Sequence, residues 1–428
     1  MPLTPVNTPQ ERNGLRLTLA VTVGLLAIWG MALWLFNALF FKFAHFFAMQ
    51  PIGIALTFAG FHLAYVLIAI PALLFHRKFG FKLGILLGLS VFGMAGFLLF
   101  LAMAQQESLY FLGAVAVIGA CVAWLDSSLN PLAVKAGRPQ TAVERLNFAH
   151  VFYGLGMFAG YYTAVFVLGP DYLLSKVTAA QAVRPYVLVG LGAILLAFVV
   201  EQITLPRFAS AGCDNTSHWR DEARWLLQDK RFRFSAIALA AYSVVLSILW
   251  TANYRYNTHE MSSHLITVVE RGSLWFVLGR ICGVVLMRWL PPMLIMRAGS
   301  ALCLLTVALS AVCGGGLGWV SLIACSFLLS IAYPTIFGTA LSNNWSRMAV
   351  AAGLLVMASG IANAVAALCT SMALDVLVIN PRLIVAAALP FQAIVVAYAL
   401  KTGRSASRAE NTFPTPVSAL GVPTGLQQ

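Results

Sequence analysis

Residues 109–133 read LYFLGAVAVIGACVAWLDSSLNPLA. A membrane-crossing helix takes about 20 mostly apolar residues, and this run supplies them. It contains one charge, Asp126. A charged side chain near a bilayer centre costs at least ~2.5 kcal/mol, so an acid kept at that depth is a candidate functional group. Pro131 lacks an N–H, which leaves the Ser127 carbonyl without its helical partner. Such a carbonyl is tolerated where the helix borders a cavity. Asp126 and Asn130 are four residues apart and share a face. Two polar groups on one face of an apolar helix point into protein rather than lipid. The plain structural reading pairs Asp126 with a basic residue that holds helices together. The functional reading gives it transport chemistry.

The rest of the chain extends this picture. Its 428 residues are 60% hydrophobic and only 10% charged, with a mean hydropathy of +0.86. That composition excludes a soluble globular protein. The seven cysteines form no CxxC pair, and all but Cys213 lie in apolar segments. They read as small buried hydrophobes rather than as metal or redox groups. Residues 1–16 are polar, and the apolar run after them is too long for a signal-peptide core. It reads as the first span.

Twelve spans are expected, near 17–41, 51–75, 82–104, 109–133, 145–168, 184–205, 234–256, 265–287, 293–313, 318–341, 348–374 and 382–400. The fold class is therefore an all-α integral membrane protein. Lys and Arg fix the orientation. With both termini in the cytoplasm, 20 basic residues face inward and 6 outward. This asymmetry accounts for the net charge of +13 without invoking nucleic acid. The expected organisation is a cytoplasmic segment 1–16, a six-helix bundle 17–205, a cytoplasmic linker 206–233, a second six-helix bundle 234–400, and a disordered tail 401–428. The linker holds WRDEARWLL at 219–227, a basic amphipathic helix suited to the inner membrane surface. A bacterial inner membrane is the expected location, and a monomer the expected state.

Two six-helix halves joined by a cytoplasmic loop form the layout of the major facilitator superfamily, whose substrate site lies near the midplane between halves. Several motifs sharpen the likeness. Span four carries Asp126 through Pro131, an acid followed by Asn-Pro. Span five opens with Arg145-Leu146-Asn147. Span eight carries Gly279-Arg280, and span ten carries Tyr333-Pro334-Thr335-Ile336-Phe337. The loop Phe79-Gly80-Phe81-Lys82-Leu83-Gly84-Ile85 is similar to the superfamily loop motif, with Arg77 where an Asp is usual. Over roughly 25–165 and 235–375 the chain resembles the fucose–galactose–glucose:proton symporter branch.

The resemblance implies specific roles. Asp126 falls on the branch's span-four acid, which takes part in sugar binding and proton coupling. The branch's second coupling acid, in span one, falls on Asn37, whose amide carries no titratable proton. The span-five sugar contacts fall on His150 and Tyr153, and a span-seven contact falls on Leu246. Arg255 matches an arginine near the outer end of span seven.

The residues themselves suggest a cavity. Imidazole has a near-neutral pKa, so His150 can exchange a proton with Asp126. Packing is the alternative for His150, and more so for His62. Asn147 can tie helices together. Trp250, Tyr254 and Arg255 of span seven, Tyr333 and Asn343 of span ten, and Asn363 of span eleven add polar or aromatic surface. Asn37 and Trp29 of span one can face the same space. Arg280 can cap carbonyls or touch substrate. The intramembrane charge is neutral to basic, which suits a sugar, a sugar acid or a carboxylate-rich metabolite.

The expected function is a secondary active transporter of a small polar solute, coupled to protons through Asp126 and His150. Efflux of a siderophore or toxic compound is an alternative, and a non-transporting sensor is another. No nucleotide-binding loop, nucleophile elbow or zinc motif appears. No enzyme activity, metal or cofactor is expected.

Overall fold

A computed structural model describes residues 9–168, 178–204, 219–260, 265–313 and 315–410. Side chains of residues 253–271 lie outside the described set, as do residues 205–218 of the linker and 411–428 of the tail. The first half comprises α1 (Pro9–Phe46), α2 (Pro51–Gln105), α3 (Ser108–Lys135), α4 (Ala142–Leu168) and α5 (Ala179–Gln202). The linker contributes α6 (Trp219–Gln228). The second half comprises α7 (Lys230–Glu260), α8 (Leu265–Leu286), α9 (Pro292–Val312), α10 (Gly315–Leu329), α11 (Ala332–Asn343), α12 (Met348–Ser371), α13 (Pro381–Ala386) and α14 (Leu389–Glu410).

The twelve expected spans map onto these helices with three local differences. Spans two and three are the two arms of α2, which breaks helical geometry at Gly80, φ 85° and ψ 170°. That backbone lies outside the region open to residues with a Cβ. Span ten is split into α10 and α11 just ahead of Pro334, whose ring removes the donor for the Ser330 carbonyl. Span twelve is split likewise ahead of Pro390, and α14 continues to Glu410 instead of ending at Leu400.

Large apolar side chains line the perimeter. Phe166 is 90% exposed and Phe198 67%, which suits a surface facing lipid rather than water. Inside the first half, α1 and α4 approach until backbone meets backbone. A Cβ on Gly156 would lie 1.8 Å from the Ala27 carbonyl oxygen. The halves meet where α2 packs on α12 and where α4 packs on α8 and α11.

One end of the bundle carries Gly80, the α3–α4 turn, α6 and the α11–α12 turn; we term it the linker end. There α6 docks on both halves. Glu222 pairs with Arg77 of α2 at 3.0 Å, and Arg347 lies 4.1 Å above the Trp225 ring. Its amphipathic face thus has protein partners from each half.

Candidate functional site

The motif residues converge because the helix ends are tied first. Arg145 reaches back over the α3 terminus, donating to the carbonyls of Ala133 at 3.3 Å and Arg138 at 2.8 Å, and to that of Val134. A cation at a helix C-terminus also opposes the macrodipole. This cap fixes α3, bearing Asp126 and Asn130, against α4, bearing Asn147, His150 and Tyr153.

Asp126 accepts a hydrogen bond from the Tyr65 hydroxyl of α2 at 2.6 Å. Among the described residues it forms no ion pair. The bridging role weighed from the sequence therefore has no basic partner here. It is close enough to Tyr153 and Tyr333 for electrostatic interaction with both. Its neighbour Asn130, fully buried, bonds through Oδ1 to His150 Nε2 at 2.9 Å. An amide oxygen only accepts, so Nε2 carries the hydrogen. His150 Nδ1 has no partner, and the Asn130 amide faces the Asp126 carboxylate as a longer, weaker donor than Tyr65. The His150 ring lies between Tyr153 and Tyr333, each 5.6 Å away between centroids. Tyr333 has an unpartnered buried hydroxyl. Asn130, rather than a direct contact, thus separates Asp126 from His150.

Arg280 closes the cluster from α8. Its Nη1 donates to the His150 carbonyl at 2.7 Å, and its Nε donates to the Ser330 carbonyl at 3.1 Å. The second acceptor is the carbonyl that Pro334 deprives of its helical donor. Phe276 and Tyr153 present ring faces to the guanidinium at 4.5 and 5.3 Å. Arg280 is 3% exposed, and no described carboxylate pairs with it. Asn147 crosses between halves as well, donating from Nδ2 to Thr335 Oγ1 at 3.1 Å. The two short motifs of spans five and ten are therefore in contact.

The remaining sequence candidates are distributed. Trp250 meets Trp34 edge-on at 5.0 Å and Phe276 at 5.6 Å, continuing the aromatic wall above Arg280. Asn37 turns onto its own helix, donating to the Leu33 carbonyl at 2.9 Å, and does not join Asp126. Asn363 is half-buried on α12, one turn beyond Ser359, which bonds to Ser243 at 2.8 Å. Asn343 is exposed at the linker end of α11, away from the cluster. Tyr254 and Arg255 lie on α7, but their side chains lie outside the described residues.

Two residues were missed by the sequence reading. Tyr65 is the direct partner of Asp126, yet one tyrosine in an apolar arm reads as packing. His76, 4% exposed, bonds through Nε2 to Ser127 and Ser128 at 3.1 and 2.9 Å. In the sequence it stands directly beside Arg77 and Lys78, at the end of an expected span, where nothing marks it as buried.

No protein-family profile matches the chain. It is similar to the L-fucose–proton symporter of Haemophilus influenzae, 26% identical over 78% of this chain and 83% of that protein. It is also similar to the glucose/galactose transporter of Brucella abortus, 25% identical over 83% and 87% respectively. Among solved structures, the Escherichia coli fucose:proton symporter superposes with a TM-score of 0.78, covering 90% of this chain and 98% of that one at 21% identity. The chain has the major facilitator fold, and in sequence it is similar to proteins named as an L-fucose–proton symporter and a glucose/galactose transporter.

Proposed function

We propose that this protein is a secondary active transporter that moves a small sugar-like solute across the bacterial cytoplasmic membrane by alternating access. Uptake is driven by protons bound at Asp126, and both termini face the cytoplasm. One observation carries the reading: Asp126 is partly buried, with a tyrosine hydroxyl as its hydrogen-bond donor and, among the described residues, no ion-pair partner. A carboxylate so placed can gain and lose a proton without breaking an ion pair. Around it, Asn130, His150, Tyr153 and Tyr333 offer the amide, imidazole and ring surfaces that a hydroxylated ring binds. The relatives named for L-fucose and glucose/galactose support the sugar class.

The test is accumulation in proteoliposomes. A pH gradient of one unit supports up to about tenfold accumulation for one proton per solute. L-fucose, D-galactose and D-glucose should be assayed with and without that gradient. At least one should accumulate only with it. Asp126→Asn should abolish accumulation while leaving solute exchange partly intact. Gradient-driven accumulation by Asp126→Asn at the parent level would overturn the coupling role.

A second reading has one observation behind it. Arg280 is buried beside the cluster without a described carboxylate partner, which suits a solute bearing its own carboxylate. Preference for D-galacturonate over D-galactose in the same vesicles would select it.

A further inference from the structure

Tyr65 does more than touch Asp126. Its ring lies against the second half of the molecule. A Cβ placed on Gly360 of α12 would come within 2.6 Å of Tyr65 Cδ1 and 2.9 Å of Val66 Cγ2. One contact further along, a Cβ on Gly353 would come within 2.6 Å of Leu73 Cδ1. Tyr65 and Leu73 are eight apart and share a face of α2; Gly353 and Gly360 are seven apart and share a face of α12. The two glycines thus form a bare groove on the second half, and side chains of the first half fill it. The tyrosine is 6% exposed.

We propose that Tyr65 is the positioning residue through which the closeness of the two halves sets the proton affinity of Asp126, with the Gly360 groove holding its ring. This rests on the coupling role assigned above. The 2.6 Å bond lies in the range of a hydroxyl donating to a carboxylate. Such a bond stabilises the ionised acid. When α2 and α12 part, the ring loses its support, the hydroxyl moves, and the acid takes up a proton more readily. Proton affinity then changes with the conformational cycle, as coupling requires.

Few other groups compete for this role. Among the described residues, the titratable side chains around Asp126 are Tyr65 of α2, Tyr153 of α4 and Tyr333 of α11; the Asn130 amide of its own helix also donates toward it and moves with it in every conformer. His150 lies beyond Asn130, and Arg280 of α8 is directed at carbonyls. α1 between Leu17 and Phe40 has no titratable residue, and α12 presents Gly360.

The test reads Asp126 directly, without a transported solute. Infrared difference spectroscopy follows the protonated carboxyl band during a pH titration of the purified full chain, with Asp126→Asn assigning the band. Tyr65→Phe keeps the ring and removes the hydroxyl. Its titration midpoint should rise by about one pH unit, a tenfold gain in proton affinity. Gly360→Ala displaces the ring and should raise the midpoint similarly. The double variant should shift no further than Tyr65→Phe alone, because both act through one hydroxyl. An unshifted Tyr65→Phe midpoint, or additive shifts in the double variant, would overturn the proposal. Should Gly360→Ala fail to fold, Val66→Ala/Gly360→Ala relieves the second contact and serves in its place. If the midpoints shift as stated but Asp126→Asn still accumulates sugar, the coupling role fails and the positioning role stands.

Discussion

Removing the Asn147 side chain should open the linker end of the transporter. Asn147 and Thr335 are buried and bonded at 3.1 Å, and they belong to opposite halves. Alternating access requires the halves to separate at one end, so this bond exists only while the linker end is closed. Asn147 Nδ2 also donates to Val143 one turn back at 2.9 Å. That bond is internal to α4 and persists in every conformer, so its loss cancels between states. The unpartnered Asn147 Oδ1 cancels in the same way. What remains is one interhelical hydrogen bond within a membrane protein, about 0.6 kcal/mol on average and at most about 1.7. Asn147→Ala should therefore shift the open-to-closed ratio by about 3-fold to about 20-fold. Spin labels at Gln140 and Asn343, both exposed at the linker end and in different halves, report that ratio as short and long distances. The native cysteines are replaced in this background. Thr335→Val should produce the same shift, and the double variant should add nothing. A shift in one single variant without the other, or no shift in either, would refute the reasoning.

Three further outcomes follow from the packing. Gly156→Val should lower thermal stability and the yield of monodisperse protein, because its Cβ would meet a backbone oxygen at 1.8 Å; Gly192→Ala, with nothing within 4 Å of the added carbon, should behave as the parent. Overpacking of this kind costs about 1–3 kcal/mol or more. Arg280→Lys should reduce transport several-fold in the vesicle assay although it keeps the charge, since a single ammonium does not reproduce two directed bonds and a planar face on Phe276; parent-level transport would assign Arg280 a purely coulombic role. Arg77→Met should lower the melting temperature by removing the 3.0 Å ion pair that ties α6 to α2; an unchanged melting temperature would assign that pair no part in docking the linker helix.

Apolar runs of membrane-crossing length carried the fold, because lipid imposes them on every span. They could not locate the breaks inside spans. The α10–α11 break follows from Pro334, a residue the sequence reading used only as part of a motif. The site was legible where polarity was out of place. Asp126, His150, Asn130 and Arg280 are conspicuous in apolar helices, and the structure joins them into one cluster with Tyr153 and Tyr333. Asn37 was conspicuous too, yet it satisfies its own helix. Asn343 lies on a motif-bearing span but past the membrane-buried stretch, at an exposed end. Tyr65 was invisible because aromatic residues fill these spans for packing alone. Only the crossing of α2 over α3 gives its hydroxyl a purpose.

The separation of Asp126 from Arg280 has a physical consequence for coupling. Arg280 is buried and Asp126 partly so, and the two opposite charges form no ion pair. Were they paired, protonating Asp126 would strand a buried cation, a loss of about 3–5 kcal/mol. That cost would oppose proton binding at every turnover. Arg280 is held instead by two carbonyls and two ring faces, none of which changes charge. One of those carbonyls is free only because Pro334 interrupts its helix. The fold thereby satisfies a permanent cation with permanent dipoles and leaves the acid bonded to a hydroxyl, which can remain beside it in either protonation state. On the coupling role proposed for Asp126, an acid that titrates and an arginine that does not are kept on separate partners, so protonation leaves the contact between α4 and α8 undisturbed.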